Sequence, residues 1–248
     1  MNDFNIAWLF PNTLFLHGDR GNLLALKRFS KLMGLNPVVQ KIDFDTEDFD
    51  PDKFDVIFAG PGEISSFPEL KKWFDNRSSD ISDFVSSGRP LIVTGTSICL
   101  FGEEYVRDDE SEYKGLGIIS TAYKERKDIY ADDIWFECKY NEKNLQIIGN
   151  QIQMGNIEIK DEKPFGKIIY GYGNSGKDEN EGVIKANSIF TNTLGPILIC
   201  NPWLTIEVIK VACKYRGIDI SEYTYDDTLE KASFEAKKMF INDKEKCL

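Results

Sequence analysis

The sequence predicts an α/β protein, a doubly wound and mostly parallel sheet with antiparallel hairpins added in the second half. Three observations carry that expectation. Short apolar runs alternate with segments of three-and-four apolar spacing through the first hundred residues. One of those runs, PLIV at 90–93, is almost wholly apolar, as a strand covered on both faces requires. From about 118 to 170 the rhythm changes to short β-like runs separated by polar turns.

Taken in order, residues 5–10 (NIAWLF) read as the first strand, followed by a loop that ends in GDRGN. Residues 23–33 (LLALKRFSKLM) have helical apolar spacing, and Gly34 is placed to end the helix. Residues 36–42 and 55–59 (DVIFA) are the next strands, the latter running into Gly60-Pro61-Gly62. A helix over 68–85 closed by Gly88 leads to the strand at 90–93. In the middle region 134–138, 145–149 and 166–171 are the hairpin strands. Residues 202–215 form a late helix with Pro202 in its first turn and Gly217 past its end. The charged tail, 226–248, is expected to be a solvated helix that frays. No repeat or low-complexity linker interrupts the chain, so 1–248 is expected to be one domain.

Composition narrows the function. A net charge of −11 opposes nucleic-acid binding, which needs concentrated Lys and Arg, and docking on an anionic membrane. No apolar run is long enough for a membrane span, and Asp3 with no basic start argues against a secretory signal. Cys99, Cys138, Cys200, Cys213 and Cys247 are odd in number and scattered, without CxxC or zinc spacing. Reduced thiols in a cytoplasm, with no metal and no cofactor, are the expectation. The chain has one histidine, His17.

In a doubly wound sheet, ligands bind beyond the carboxyl ends of the strands. The loops there are 11–22, 60–66, 94–99 and 171–176. VTGTS at 93–97 has the form of a strand-turn-helix elbow that presents a nucleophile, but Gly95 stands at its apex. A plain strand-to-helix turn accounts for the spacing equally well. Gly60-Pro61-Gly62, with Thr96 opposite, could offer backbone N–H groups to an oxyanion, less the donor that proline lacks; it could also be only a tight turn. GYGNSG at 171–176 lacks the Lys-Ser/Thr of a phosphate loop.

Several segments in order resemble the class I glutamine amidotransferases, in particular the glutaminase subunit of bacterial lipid II isoglutaminyl synthase and the cobyric acid synthase-like enzymes. They are HGDRGNLLALKR at 17–28, AGPGE at 59–63, GRPLIVTGTSICLFG at 88–102, FGKIIYGYGNSGKDENEGV at 165–183 and TNTLGPILICNP at 191–202. The likeness covers about 5–215. It implies roles for Asp19, Arg20 and Asn22 in one family loop and for Asn174 and Gly176 in another. It implies that Arg126 stands where an arginine gathers the substrate glutamine, although KERKD around it reads as an exposed charged loop. By the same likeness the nucleophile position falls on Gly95 and the base position on Leu194, so neither thiolate nor imidazole is present.

The resemblance therefore implies a degenerate amidotransferase subunit that pairs with a Mur ligase-like, ATP-using partner in cell-wall precursor amidation. Two other readings compete with it. One is a relocated nucleophile and base, Cys99 and His17. The other is a sensor that binds glutamine or another small ligand in the space that an apex glycine leaves.

Overall fold

The computed structural model describes residues 2–176, 179–220 and 222–245. Met1, Lys177, Asp178, Ser221 and 246–248 lie outside the described residues, and with them Cys247, the end of the expected tail helix and two residues of the GNSGKDENEG segment.

The first half is built from β1 (Asp3–Leu9), α1 (Gly21–Leu32), β2 (Asn36–Ile42), β3 (Val56–Ala59), α2 (Phe67–Phe74), α3 (Ser78–Ser86), β4 (Leu91–Thr94) and α4 (Ser97–Phe101). The helix expected over 68–85 is two helices. Arg77 causes the break: its guanidinium lies 4.2 Å from the centre of the Trp73 ring and donates to the Trp73 carbonyl at 2.7 Å, closing α2 before α3 begins. No sequence period encodes such a cap.

The second half contributes β5 (Glu104–Val106), β6 (Glu112–Lys114), β7 (Thr121–Tyr140), β8 (Lys143–Ile159), β9 (Gly166–Tyr170), β10 (Asn180–Glu181), β11 (Val183–Lys185), β12 (Ser188–Thr191) and β13 (Thr193–Leu194). Three helices complete it: α5 (Ile197–Cys200), α6 (Pro202–Arg216) and α7 (Thr228–Glu245). The strands expected at 134–138 and 145–149 are parts of longer ones, since β7 and β8 pair antiparallel from Thr121–Ile159 to Tyr140–Lys143 with one irregularity between Glu125 and Tyr130, and the strand expected at 166–171 is β9.

One sheet has the order β11-β12-β4-β3-β1-β2, parallel except for β11. The other runs β10-β9-β7-β5-β6, with β8 beside β7 and β13 beside β8. Both faces of the parallel sheet are covered. Ala7, Ile57 and Val93 pack with Tyr105, Tyr123 and Ile157, while Ile6, Phe58 and Ile92 pack with α1, α6 and the Ile134–Phe136 part of β7. That double coverage explains why β3 and β4 are buried at every position. Gly217, at φ +64°, ends α6 as a left-handed cap.

The tail is the clearest correction. It is a helix with most of its side chains exposed, as expected, but it docks on the body: α7 buries Phe234 and Ile241, with Phe234 edge-on to Trp203 at 5.3 Å. Lys237 pairs with Asp133 at 2.7 Å and Lys244 with Asp132, both on β7. Among the described residues no helix is long and apolar enough to cross a membrane.

Candidate functional site

The parallel strands β1, β3, β4 and β12 deliver four loops to one edge of the sheet, and the elbow after β4 is the centre of them. Gly95 sits at φ +60°, a backbone that a side chain adopts only with strain. Its N–H donates to the Thr191 carbonyl at 2.8 Å, which ties the apex to the end of β12. A Cβ on Gly95 would lie 2.8 Å from Pro61 Cβ and 3.3 Å from Leu194 Cδ2. The apex, Pro61 and Leu194 are thus gathered at one point, and apolar atoms fill it. The open space that an apex glycine was expected to leave is absent there, because Pro61 and Leu194 occupy it.

The Gly60–Gly62 loop is stitched to the elbow. Ser97 Oγ donates to the Gly60 carbonyl at 2.6 Å, and the Leu16 amide donates to the Pro61 carbonyl at 3.0 Å. Thr96 Oγ1 donates to the Gly62 carbonyl at 2.5 Å and faces the Gly62 amide at 3.2 Å. Of the loop's two glycine amides, the one at Gly62 is therefore turned onto a hydroxyl of the chain itself. Both glycines are needed for close approach, since a Cβ would come within 2.7 Å of the Leu14 carbonyl at Gly60 and 2.5 Å of Leu14 Cδ2 at Gly62.

Asp19, Gly21 and Asn22 clasp the loops on either side. The buried Asp19 carboxylate accepts from Thr94 Oγ1 at the end of β4. Asn22 Oδ1 accepts from the Leu198 amide at 2.8 Å, which holds the start of α5. Gly21 lets Pro196 approach so closely that a Cβ would lie 2.5 Å from its ring. Burial pushes the Asp19 carboxyl up to about 7, against the lowering effect of Thr94 and Asn22. Arg20 is exposed.

Asn174 makes a second clasp. Its side chain accepts from the Gly182 amide at 2.8 Å and donates to the Gly182 carbonyl at 3.1 Å. Gly176, at φ +75°, is pressed against Tyr130, whose hydroxyl would lie 2.2 Å from an added Cβ. Sequence reasoning missed the residues that complete this region. Glu181 is fully buried and accepts from Thr191 Oγ1 and the Asn192 amide, each at 2.8 Å; burial raises its carboxyl to about 7. Gln151 and Gln153 donate to the carbonyls of Gly173 and Asn174, both at 2.7 Å. The available signal was polar side chains at inward-facing strand positions, and Glu181 lies inside the ENEG segment.

The remaining candidates are not brought together. Cys99 is 1% exposed, its thiol donates to the Thr96 carbonyl at 2.8 Å, and burial holds it well above the ordinary thiol range. His17 is exposed in the loop at the sheet edge, and no hydrogen bond joins the two. Arg126 lies in β7, not in an exposed loop. It is half-buried, with its guanidinium 3.5 Å from the Tyr130 ring centre, and Tyr130 stacks on Tyr172 at 4.4 Å. Among the described residues, no group of three or more His, Cys, Asp or Glu is arranged to hold a metal ion.

No protein-family model matches the chain. It is 26% identical over 246 residues to the lipid II isoglutaminyl synthase (glutamine-hydrolyzing) subunit GatD of Staphylococcus aureus, covering 98% of this chain and 96% of that one. The corresponding subunit of Streptococcus pneumoniae is 26% identical over 230 residues, covering 92% and 87%. In fold it is similar to a chain in the structure of PurLQS from Thermotoga maritima, with a TM-score of 0.54 at 12% identity over 87% of this chain and 97% of that one. The fold is that of the glutamine amidotransferases, and along nearly its whole length the chain resembles the glutaminase subunit of lipid II isoglutaminyl synthase.

Proposed function

We propose that this chain is a single-domain, non-catalytic glutaminase-like subunit that works in the cytoplasm with a Mur ligase-like partner in cell-wall precursor amidation. The observation that carries the first part is the contact of Gly95, Pro61 and Leu194. Hydrolysis of a glutamine side chain needs a nucleophile to form an acyl-enzyme, a base to take its proton and return it to ammonia, and donors for the tetrahedral oxyanion. A glycine at the apex supplies no attacking atom. Leu194 moves no proton. The Thr96 hydroxyl stands where Gly62 would face a substrate oxygen.

The amidation role is drawn from the two GatD relatives, and the pairing from their being subunits. In such an assembly the partner would activate a carboxyl with ATP, and ammonia would attack it directly. This chain would then contribute structure to its partner. Reconstitution of the pair tests the reading: amide formation should proceed with ammonium chloride and fail with glutamine as sole nitrogen source. Equal product from glutamine would show that the chain hydrolyses it.

A further inference from the structure

Helix α1 and the residue before it form a stretch of this acidic chain that carries cations and no acids. From Arg20 to Leu32 there are four cations, Arg20, Lys27, Arg28 and Lys31, and no Asp or Glu, in a chain of net charge −11. Lys27, Arg28 and Lys31 share an exposed face of the helix with Leu24, at spacings of three, four and seven. Leu24 is 60% exposed on a helix whose other face is buried against α5 and α6.

Two more exposed apolar side chains stand opposite it, Ile199 of α5 at 42% and Leu229 of α7 at 79%. The three line a groove of about 460 Å³ whose floor includes Ala25 and Phe29. The one acid at its rim, Glu230, is already paired with Arg28 at 3.4 Å. That pair leaves the rim itself balanced, and the positive charge beside the apolar groove comes from Lys27 and Lys31 on the same exposed face of α1. The groove also abuts the candidate site, because Ile199 packs on Gly21 next to Pro196.

We infer that the groove between α1, α5 and the start of α7 is the docking surface for an acidic amphipathic helix of the partner subunit. Apolar side chains of that helix would fill the space between Leu24, Ile199 and Leu229, and its carboxylates would face Lys27 and Lys31. The inference rests on the two-subunit reading above and adds where the subunits meet and by what chemistry.

The test is the affinity of the full chain for the Mur ligase-like subunit of the same organism, measured by sedimentation and calorimetry at two salt concentrations. Leu24→Glu and Ile199→Glu, both surface changes checked by thermal melting, should weaken the complex by about tenfold or more. Lys27→Glu with Lys31→Glu should weaken it and flatten its salt dependence, while Val38→Glu on the edge strand β2, outside the groove, should stay within about twofold. Unchanged affinity in the groove variants overturns the docking site and leaves the functional reading standing. Self-association that Leu24→Glu abolishes would assign the groove to a second copy and also overturn it. If the wild-type chain does not bind the ligase-like subunit, the functional reading falls. The groove is then judged with an acidic amphipathic helical peptide: NMR shifts confined to residues around Leu24, Phe29, Ile199 and Leu229 support it, and their absence overturns it.

Discussion

At residues 94–97 the chain forms an elbow with a glycine apex whose neighbouring hydroxyls are taken up by hydrogen bonds to Asp19 and to the Gly60–Gly62 loop, whereas at 19–22 and 174–182 buried side chains hold distant loops in place. Gly95 keeps a left-handed apex and a hydrogen bond to Thr191, yet everything around it is apolar or self-paired. Asp19, Asn22, Asn174 and Glu181 are all buried, and each satisfies a loop far away in sequence or across a turn. The two regions differ in what holds them: the elbow is fixed by backbone geometry and local hydroxyl contacts, and the flanking loops by buried polar side chains that reach across the chain.

The bracing side of the comparison gives the largest expected effect. Asn174→Ala strands the buried Gly182 amide and carbonyl together, which should cost about 3 kcal/mol in urea unfolding. A loss below about 1 kcal/mol would mean that the clasp is ornamental.

The two buried carboxyls predict a pH dependence of similar order. Asp19 and Glu181 are each raised from the ordinary carboxylate range to about 7 in the folded state, so between about pH 4 and about pH 7 the folded chain holds protons that the unfolded chain has released. Their contribution to stability therefore falls as pH rises through that window and is constant above it. Glu181→Gln should accordingly cost less at pH 8 than at pH 4.5, by about 2 kcal/mol, and equal costs at both would contradict the burial argument.

At the elbow, Gly95→Ala combines a left-handed backbone with a Cβ 2.8 Å from Pro61, and about 1–2 kcal/mol of destabilisation is expected. Pro61→Gly removes the opposing atom, so the double variant should be less destabilised than the sum of the two, by about 0.5 kcal/mol or more. Strict additivity would show that the two do not compete for one space. Smallest of all, His17→Ala on the exposed loop should change stability by no more than about 0.5 kcal/mol.

Much of this architecture was legible in the sequence. The strands at 36–42 and 55–59, the helix from Pro202 to its glycine cap and the turn at Gly95 are local signals, written in apolar spacing and in residues with special backbone freedom. What stayed hidden is set by side-chain contacts that apolar spacing does not encode. The helix break at Arg77 depends on a stack with Trp73 four residues back, and α7 docks through two apolar side chains and lysines that find Asp132 and Asp133 a hundred residues away in sequence. The closing of the space over Gly95 needs Pro61 and Leu194 brought together from opposite halves of the chain. Buried Gln151, Gln153 and Glu181 were not singled out, because the face a polar strand residue takes emerges only once its neighbours on the sheet are known.

The most direct measurement is ammonia release from glutamine by the chain with its ligase-like partner and ATP, comparing the wild type with Cys99→Ala. Neither protein should release ammonia above background. Release by the wild type that disappears in Cys99→Ala would show that a buried thiol has taken over the reaction, and that the elbow has moved its chemistry.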